Sequence, residues 1–369
     1  MALQFSKRES VMKNIKCRGI VRRLLTVVIC AAMVLMLMSS LLAVNAGAAE
    51  QSKYKNVRLI VGGVPFGVKF STDGVTVVGF SDLDGISSTQ NPAYLAGLRP
   101  KDIIISVNGN EVKRCEDLTR IVEESGGKEI SLTYLRGGNE NETRLKPIYS
   151  QSEGKYKTGV WVRDHGAGIG TVTYIIPESG EFGGLGHGIC DGETGELVRI
   201  SSGVIMNVKI NSVKKGISGE PGEIKGSFGL EKLGQLKSNT ECGVYGKFDK
   251  MPENLGKAIP IGLRGEIKCG EATVVTTLAD GDREEYKIEI ASINKDAKGS
   301  KCFVIKITDE RLLEKSGGIV QGMSGSPIIQ NGKLVGAVTH VMINDPTVGY
   351  GIFIENMLNA AQMPMQRAA

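Results

Sequence analysis

From residue 57 onward, apolar residues come in short runs separated by glycine-rich turns. Segments 57–61, 68–70, 75–80, 102–107 and 129–135 have the length and apolar character of strands. Two helical stretches interrupt them, near 92–96 and over 115–124. The second places Leu118, Ile121 and Val122 at helical spacing. Past residue 150 the alternation resumes over 158–176. Strands are then predicted at 204–210, 243–248, 258–261, 272–278, 286–293, 302–307, 328–329, 334–341 and 350–354. Many short strands with few helices predict a mainly β chain whose larger part is a barrel or sandwich. At 369 residues it has room for two or three domains, and its 49 glycines suit a turn-rich β protein.

Within the first group of elements runs Ala96-Gly97-Leu98-Arg99-Pro100-Lys101-Asp102-Ile103-Ile104-Ile105-Ser106-Val107-Asn108-Gly109. This resembles the PDZ-domain pattern A-G-L-x-x-G-D-x-I-x-x-I/V-N-G, with Lys101 where the pattern has glycine. The resemblance implies an α+β PDZ domain over 57–150 that binds a peptide as an added strand. Val64, Phe66 and Gly67 are the candidate peptide-binding loop, whose N–H groups would meet the ligand's chain end; Pro65 has no N–H to offer. The plainer reading of that loop is a turn. Either way, a PDZ domain points to a protein ligand.

Charge adds little once it is placed along the chain. Residues 1–48 hold seven of the 45 basic residues and one of the 40 acids, leaving 38 basic against 39 acidic. That balance gives no basis for nucleic-acid binding. The basic residues precede an uncharged apolar run over 24–44 and then Asn45-Ala46-Gly47-Ala48-Ala49. A positive segment, an apolar core and an Ala-x-Ala exit describe an export signal. The run is also long enough, at the roughly 20 residues a bilayer requires, to remain as a membrane anchor. Residues 1–49 are therefore expected to be a signal peptide or anchor that sends the body across the membrane.

Cysteine and glycine motifs are unspecific. Five cysteines lie beyond the signal region and none forms C-x-x-C, so neither a disulfide framework nor a metal site is specified. Gly166, Gly168 and Gly170 do not make a dinucleotide-binding spacing, and no cofactor is expected.

The chemistry concentrates at Gly322-Met323-Ser324-Gly325-Ser326-Pro327, which sets a serine in a glycine-flanked turn before an apolar strand. Serine peptidases of the chymotrypsin type hold their nucleophile in such a turn, where backbone N–H groups face the developing oxyanion. An ordinary Gly/Ser/Pro bend is the alternative. Three histidines, His165, His187 and His340, compete for the role of base. His187 stands first because Gly186 and Gly188 leave its imidazole approachable. For an orienting acid the candidates are Asp191, Asp249, Asp280, Asp282, Asp296 and Asp309. Asp309 ends a strand, where a carboxylate is held rigidly, but it also begins Asp-Glu-Arg-Leu-Leu-Glu as a helix cap would.

The layout of apolar N-terminus, PDZ pattern, Leu185-Gly186-His187-Gly188 and the serine turn with its flanks resembles the stage IV sporulation protein B family of serine peptidases from endospore-forming bacteria. Thr339-His340-Val341 with Asn344-Asp345-Pro346-Thr347 extends the match. The resemblance implies a chymotrypsin-like double β-barrel over 151–369 and a triad of His187, Asp309 and Ser324. It places the oxyanion hole at the Gly322 and Ser324 amides. It further implies export to the space between forespore and mother-cell membranes, self-cleavage near the N-terminus, and cutting of a membrane-associated regulator that leads to activation of a late mother-cell sigma factor. Met323 and Ser326 depart from the chymotrypsin pattern, and Ser326 is a rival nucleophile. The competing function is a non-catalytic PDZ adaptor at the membrane.

Overall fold

The computed structural model describes residues 56–362 except 193–194 and 279–280, together with Met33, Met36 and Tyr54. The expected signal peptide or anchor at 1–49 lies, apart from those two methionines, outside the described residues. Among the described residues no helix is long and apolar enough to cross a membrane.

The chain enters on β1 (Arg58–Val61) and the 16-residue β2 (Pro65–Phe80). A small module follows: α1 (Pro92–Leu95), β3 (Ile103–Val107), β4 (Asn110–Glu111), α2 (Cys115–Glu124), β5 (Ile130–Arg136), β6 (Asn139–Leu145), β7 (Ile148–Ser150) and β8 (Lys155–Lys157). Leu118, Ile121 and Val122 of α2 are buried against Val75, Val77, Ile104, Val107, Ile130 and Leu132, as their helical spacing predicts. The chain returns on β9 (Val160–Ile175), which pairs antiparallel with β2 along most of its length.

The two long strands each serve two cores. Val75 and Val77 of β2 belong to the small module, whereas Val64, Phe66 and Val68 pack with Val172, Ile175, Phe182, Ile205 and Val244. That second core is enclosed by a ring of β2, β9, β10 (Glu181–Gly184), β13 (Gly243–Phe248), β12 (Glu223–Thr240) and β11 (Ile200–Lys214), closed by the β2–β9 pairing. The PDZ-type module is therefore an insertion between two strands of the first barrel. The expected boundary near residue 150 gives way to one through the middle of β2 and of β9.

After β14 (Ala258–Pro260), a second closed barrel comprises β15 (Gly270–Thr277), β16 (Arg283–Ile293), β17 (Phe303–Ile307), β18 (Pro327–Gln330), β19 (Lys333–Met342) and β20 (Asp345–Phe353). Its order is β15-β16-β17-β20-β19-β18. Helix α3 (Glu310–Ser316) follows β17, and α4 (Ile354–Ala361) closes the described chain. In β16, Tyr286, Ile288 and Ile290 point inward while Glu285, Lys287 and Glu289 face solvent, the period-two pattern of a strand with one buried face.

The segment proposed to bind peptide lies mostly in β2, with Val64 just before that strand. Phe66 is fully buried and meets Phe182 edge-on at 5.5 Å, and Val64 shares that core. Gly67 is paired on both sides, with Ile169 and with Met206, so its backbone cannot receive an added strand. Apolar burial places these residues in the first barrel, since an interior phenylalanine contributes about 1.5–3 kcal/mol. At Lys101 the structure shows why the pattern has glycine, and nothing in it explains the lysine. Its φ is 83°, a left-handed backbone that favours glycine, and Lys holds it with its N–H donated to Val77 O at 2.7 Å.

Candidate active site

Ser324 stands in the turn between α3 and β18, and the turn needs its glycines. Gly322 and Gly325 have φ of 100° and 94°, and a Cβ on Gly325 would lie 2.1 Å from Thr171 O. Strand β9 of the first barrel grips this turn of the second. Thr171 N donates to Ser324 O at 3.0 Å and Thr171 Oγ1 to Gly322 O at 2.8 Å; Thr173 Oγ1 donates to Gly325 O at 2.7 Å. On the far side Gly325 N donates to Val338 O at 2.8 Å.

The carbonyls of Gly322 and Ser324 are thus turned toward β9. The amides of Met323 and Ser326 are spent on Val320 O and Met323 O, whereas those of Gly322 and Ser324 donate to no carbonyl among the described residues. An unspent N–H on the serine and another two residues before it are the pair that an oxyanion site requires. Met323 is buried in the core. Ser326 is buried as well, with its hydroxyl bonded to Thr276 Oγ1 at 3.1 Å, so the rival nucleophile faces away from solvent. Ser324 Oγ donates to Thr339 O at 2.7 Å.

His187 follows β10 through Leu185, whose N–H donates to Thr171 O at 3.2 Å, so the same threonine positions both segments. The His187 Nδ1–H donates to Gly188 O at 2.8 Å, which leaves Nε2 with its lone pair. Burial pushes its pKa below the ordinary histidine value. His340, on β19 next to Thr339, lies with its ring 4.9 Å from that of His187, tilted by 39°. Burial first, then His187 and Lys301, push His340 down to about 4. His340 Nδ1 is buried and has no hydrogen-bond partner among the described residues. His187, Gly322, Ser324, Thr339 and His340 line one cleft of about 1340 Å³.

His165 opens onto the same cleft but not onto the serine. It lies six residues before Thr171 on β9, roughly 20 Å along an extended strand. Its side chain is 80% exposed, and Nδ1 meets Asp164 Oδ1 at 2.6 Å.

Asp309 does not orient His187. It caps α3: Oδ1 accepts from Arg311 N at 3.0 Å and Arg311 Nε at 3.1 Å, and Oδ2 from Lys287 N at 3.1 Å and Arg311 Nη2 at 3.0 Å. The Arg311 guanidinium, aided by the Lys287 and Arg311 amides, holds its carboxyl at about 2. No hydrogen bond joins it to His187, and it does not line the cleft. The cap reading of Asp-Glu-Arg-Leu-Leu-Glu is the one the geometry realises. Of the other acids, Asp191 faces the cleft but pairs with Arg163 at 3.2 Å. Asp249, Asp282 and Asp296 are exposed and lie away from the cleft, and Asp280 lies outside the described residues. Sequence reasoning also missed Thr171, Thr173 and the Gly188 carbonyl, because buried strand threonines and backbone acceptors carry no motif.

The SpoIVB peptidase S55 family pattern matches residues 154–358, and a PDZ domain pattern matches 88–136. A probable CtpA-like serine protease of Staphylococcus aureus is 41% identical over 59 residues, 15% of this chain and 12% of that protein. A probable periplasmic serine protease do/HhoA-like of Haemophilus influenzae is 32% identical over 102 residues, 24% of this chain and 22% of the other. The chain thus spans less than a quarter of the length of these curated relatives. Among solved structures, the active form of the Rv3671c protease from M. tuberculosis aligns at TM-score 0.32 and 13% identity, over 55% of this chain and 76% of that one. The PDZ domain of an SdrC-like protein from Listeria monocytogenes aligns at TM-score 0.21 and 20% identity, over 24% and 87%. Overlaps this distant do not bear on the chemistry.

Proposed function

Since this chain belongs to the SpoIVB peptidase S55 family, we propose that it is a serine endopeptidase with Ser324 as nucleophile and His187 as base. The observation that carries this is the turn itself: a serine whose own amide and that of Gly322 are unspent, in one cleft with an imidazole whose Nε2 is free. Ser324 Oγ would leave Thr339 O, attack a peptide carbonyl and pass its proton to His187 Nε2. The Gly322 and Ser324 N–H groups would receive the oxyanion, each worth roughly 3–4 kcal/mol in the transition state. His187 would then protonate the leaving amine, and water would release the acyl group by the same route.

The substrate class follows from the inserted module. A PDZ domain built into the first barrel suits a protein or peptide substrate. The finer reading is that the exported enzyme acts in sporulation signalling, removes its own N-terminal region and cuts a membrane-associated regulator. The alternative of a non-catalytic PDZ adaptor draws on one observation, the Ser324 hydroxyl bonded to Thr339 O and not to His187.

The test is expression of the exported portion beside Ser324→Ala, with mass spectrometry of the N-terminus of each. A processed N-terminus in the parent and an unprocessed one in the variant is expected. Identical N-termini, with no cleavage of an added protein by either, would favour the adaptor.

A further inference from the structure

Outside the catalytic site, the two barrels also meet at a pair of cysteines. Cys242 sits in the tight turn between β12 and β13 of the first barrel, and Cys302 immediately precedes β17 of the second. Neither lines the cleft. We propose that these two thiols are an oxidation site, closing to a disulfide that staples one barrel to the other. The inference goes beyond the peptidase reading and does not rest on it.

One short loop gathers the two sulfurs. Residues 294–302 connect β16 to β17. Cys242 Sγ donates to Lys298 O at 3.6 Å, and Cys302 Sγ donates to Gly299 O at 3.1 Å. Carbonyls of adjacent residues thus hold two thiols that come from different barrels, about 60 residues apart in sequence. The loop is fixed by Asn356 of α4, whose Nδ2 reaches Gly299 O at 3.1 Å and both Ala297 O and Cys302 Sγ at 3.2 Å. The turn is fixed as well: Cys242 N donates to Thr240 Oγ1 at 3.2 Å, and Tyr245 Oη donates to Cys242 O at 3.1 Å. Both cysteines therefore stand on anchored backbone.

Electrostatics report the same neighbourhood. Burial first, then the nearby Cys302, push the Cys242 thiol up to about 11, and burial raises Cys302 as well. Thiols are weak donors, so little is lost when both sulfurs leave their carbonyls for a covalent bond.

Burial also sets the order of events. Cys242 is half-buried and Cys302 is buried. The Cys242 thiolate attacks the disulfide of a small-molecule or protein oxidant, forming a mixed disulfide and releasing one thiol. The Cys302 thiolate then attacks the Cys242 sulfur and releases the second. Two cysteine thiols lose two electrons, the oxidant's disulfide gains them, and the two protons end on the released thiols. Because both cysteines are held neutral at pH 7, closure is slow. Outside the reducing cytosol the bond, once closed, persists.

The test is incubation of the full chain in mild detergent with oxidised glutathione, then alkylation without reduction and digestion with trypsin. Peptides 238–247 and 302–306 are expected as one linked species that dithiothreitol separates. Cys242→Ser and Cys302→Ala should each abolish it. The oxidised parent should melt about 5–10 °C above its reduced form, whereas oxidised Cys242→Ser should show no such gap. Recovery of the two cysteines as separate alkylated peptides from the folded, oxidised chain would overturn the inference. So would a glutathione adduct left on Cys242, a link from Cys242 to the exposed Cys190, or a link between Cys242 and Cys302 that leaves Tm unchanged.

Discussion

Replacing Asp309 with asparagine separates a helix cap from a catalytic acid. The carboxylate accepts four hydrogen bonds, two of them from the Arg311 guanidinium, and only 7% of the residue is exposed. Its pKa falls from the ordinary 3.8 to about 2. That difference corresponds to about 2 kcal/mol of folding stability at neutral pH. Because the folded-state value is depressed, the contribution is complete above about pH 4 and is lost as pH falls through 2. Asn keeps one acceptor for the cap and loses the ion pair. Urea unfolding should therefore show Asp309→Asn about 2 kcal/mol less stable at pH 7, with the gap narrowing steadily toward pH 2. The fluorophosphonate labelling rate at 20 °C should stay within two-fold of the parent, since the carboxylate lies outside the cleft. A labelling rate reduced a thousand-fold at undiminished stability would refute the reasoning and restore Asp309 to the triad.

Other substitutions probe the remaining assignments. Thr171→Val removes only the bond from Oγ1 to Gly322 O; it should slow labelling about ten-fold while Thr171→Ser restores it, and equal rates in both would contradict the clamp. Phe66→Ala should lower stability by about 3–5 kcal/mol in chemical denaturation, as expected of a barrel core position and not of a peptide-binding loop. Lys101→Gly relieves a left-handed backbone worth about 1–2 kcal/mol, offset in part by glycine's greater freedom when unfolded. A small rise in Tm is expected; a fall would mean that the lysine side chain contributes more than the strain costs.

Much of the architecture was legible because it rests on periodicity. The alternation in β16 and the spacing of Leu118, Ile121 and Val122 are local signals, and the structure keeps both. The insertion of the PDZ-type module was not legible. Whether Phe66 faces a ligand or a barrel core depends on Val172, Phe182 and Val244, more than a hundred residues away, and no local pattern encodes that. At the site, Ser324, Gly322 and His187 were visible because glycines that free a backbone or expose a ring leave a mark in sequence. Asp309 carried two signals, strand end and helix cap, and Arg311 two residues later decided for the cap. Thr171 and the orphan nitrogen of His340 exist as features only once the two barrels meet.

The central claim is that Ser324, whose own amide and that of Gly322 are left free, is the reactive nucleophile. Mapping the site of fluorophosphonate attachment by peptide mass spectrometry tests it most directly. The account predicts one adduct on Ser324, absent after Ser324→Ala and strongly reduced after His187→Ala. An adduct on Ser326, or none on a folded chain, would contradict it.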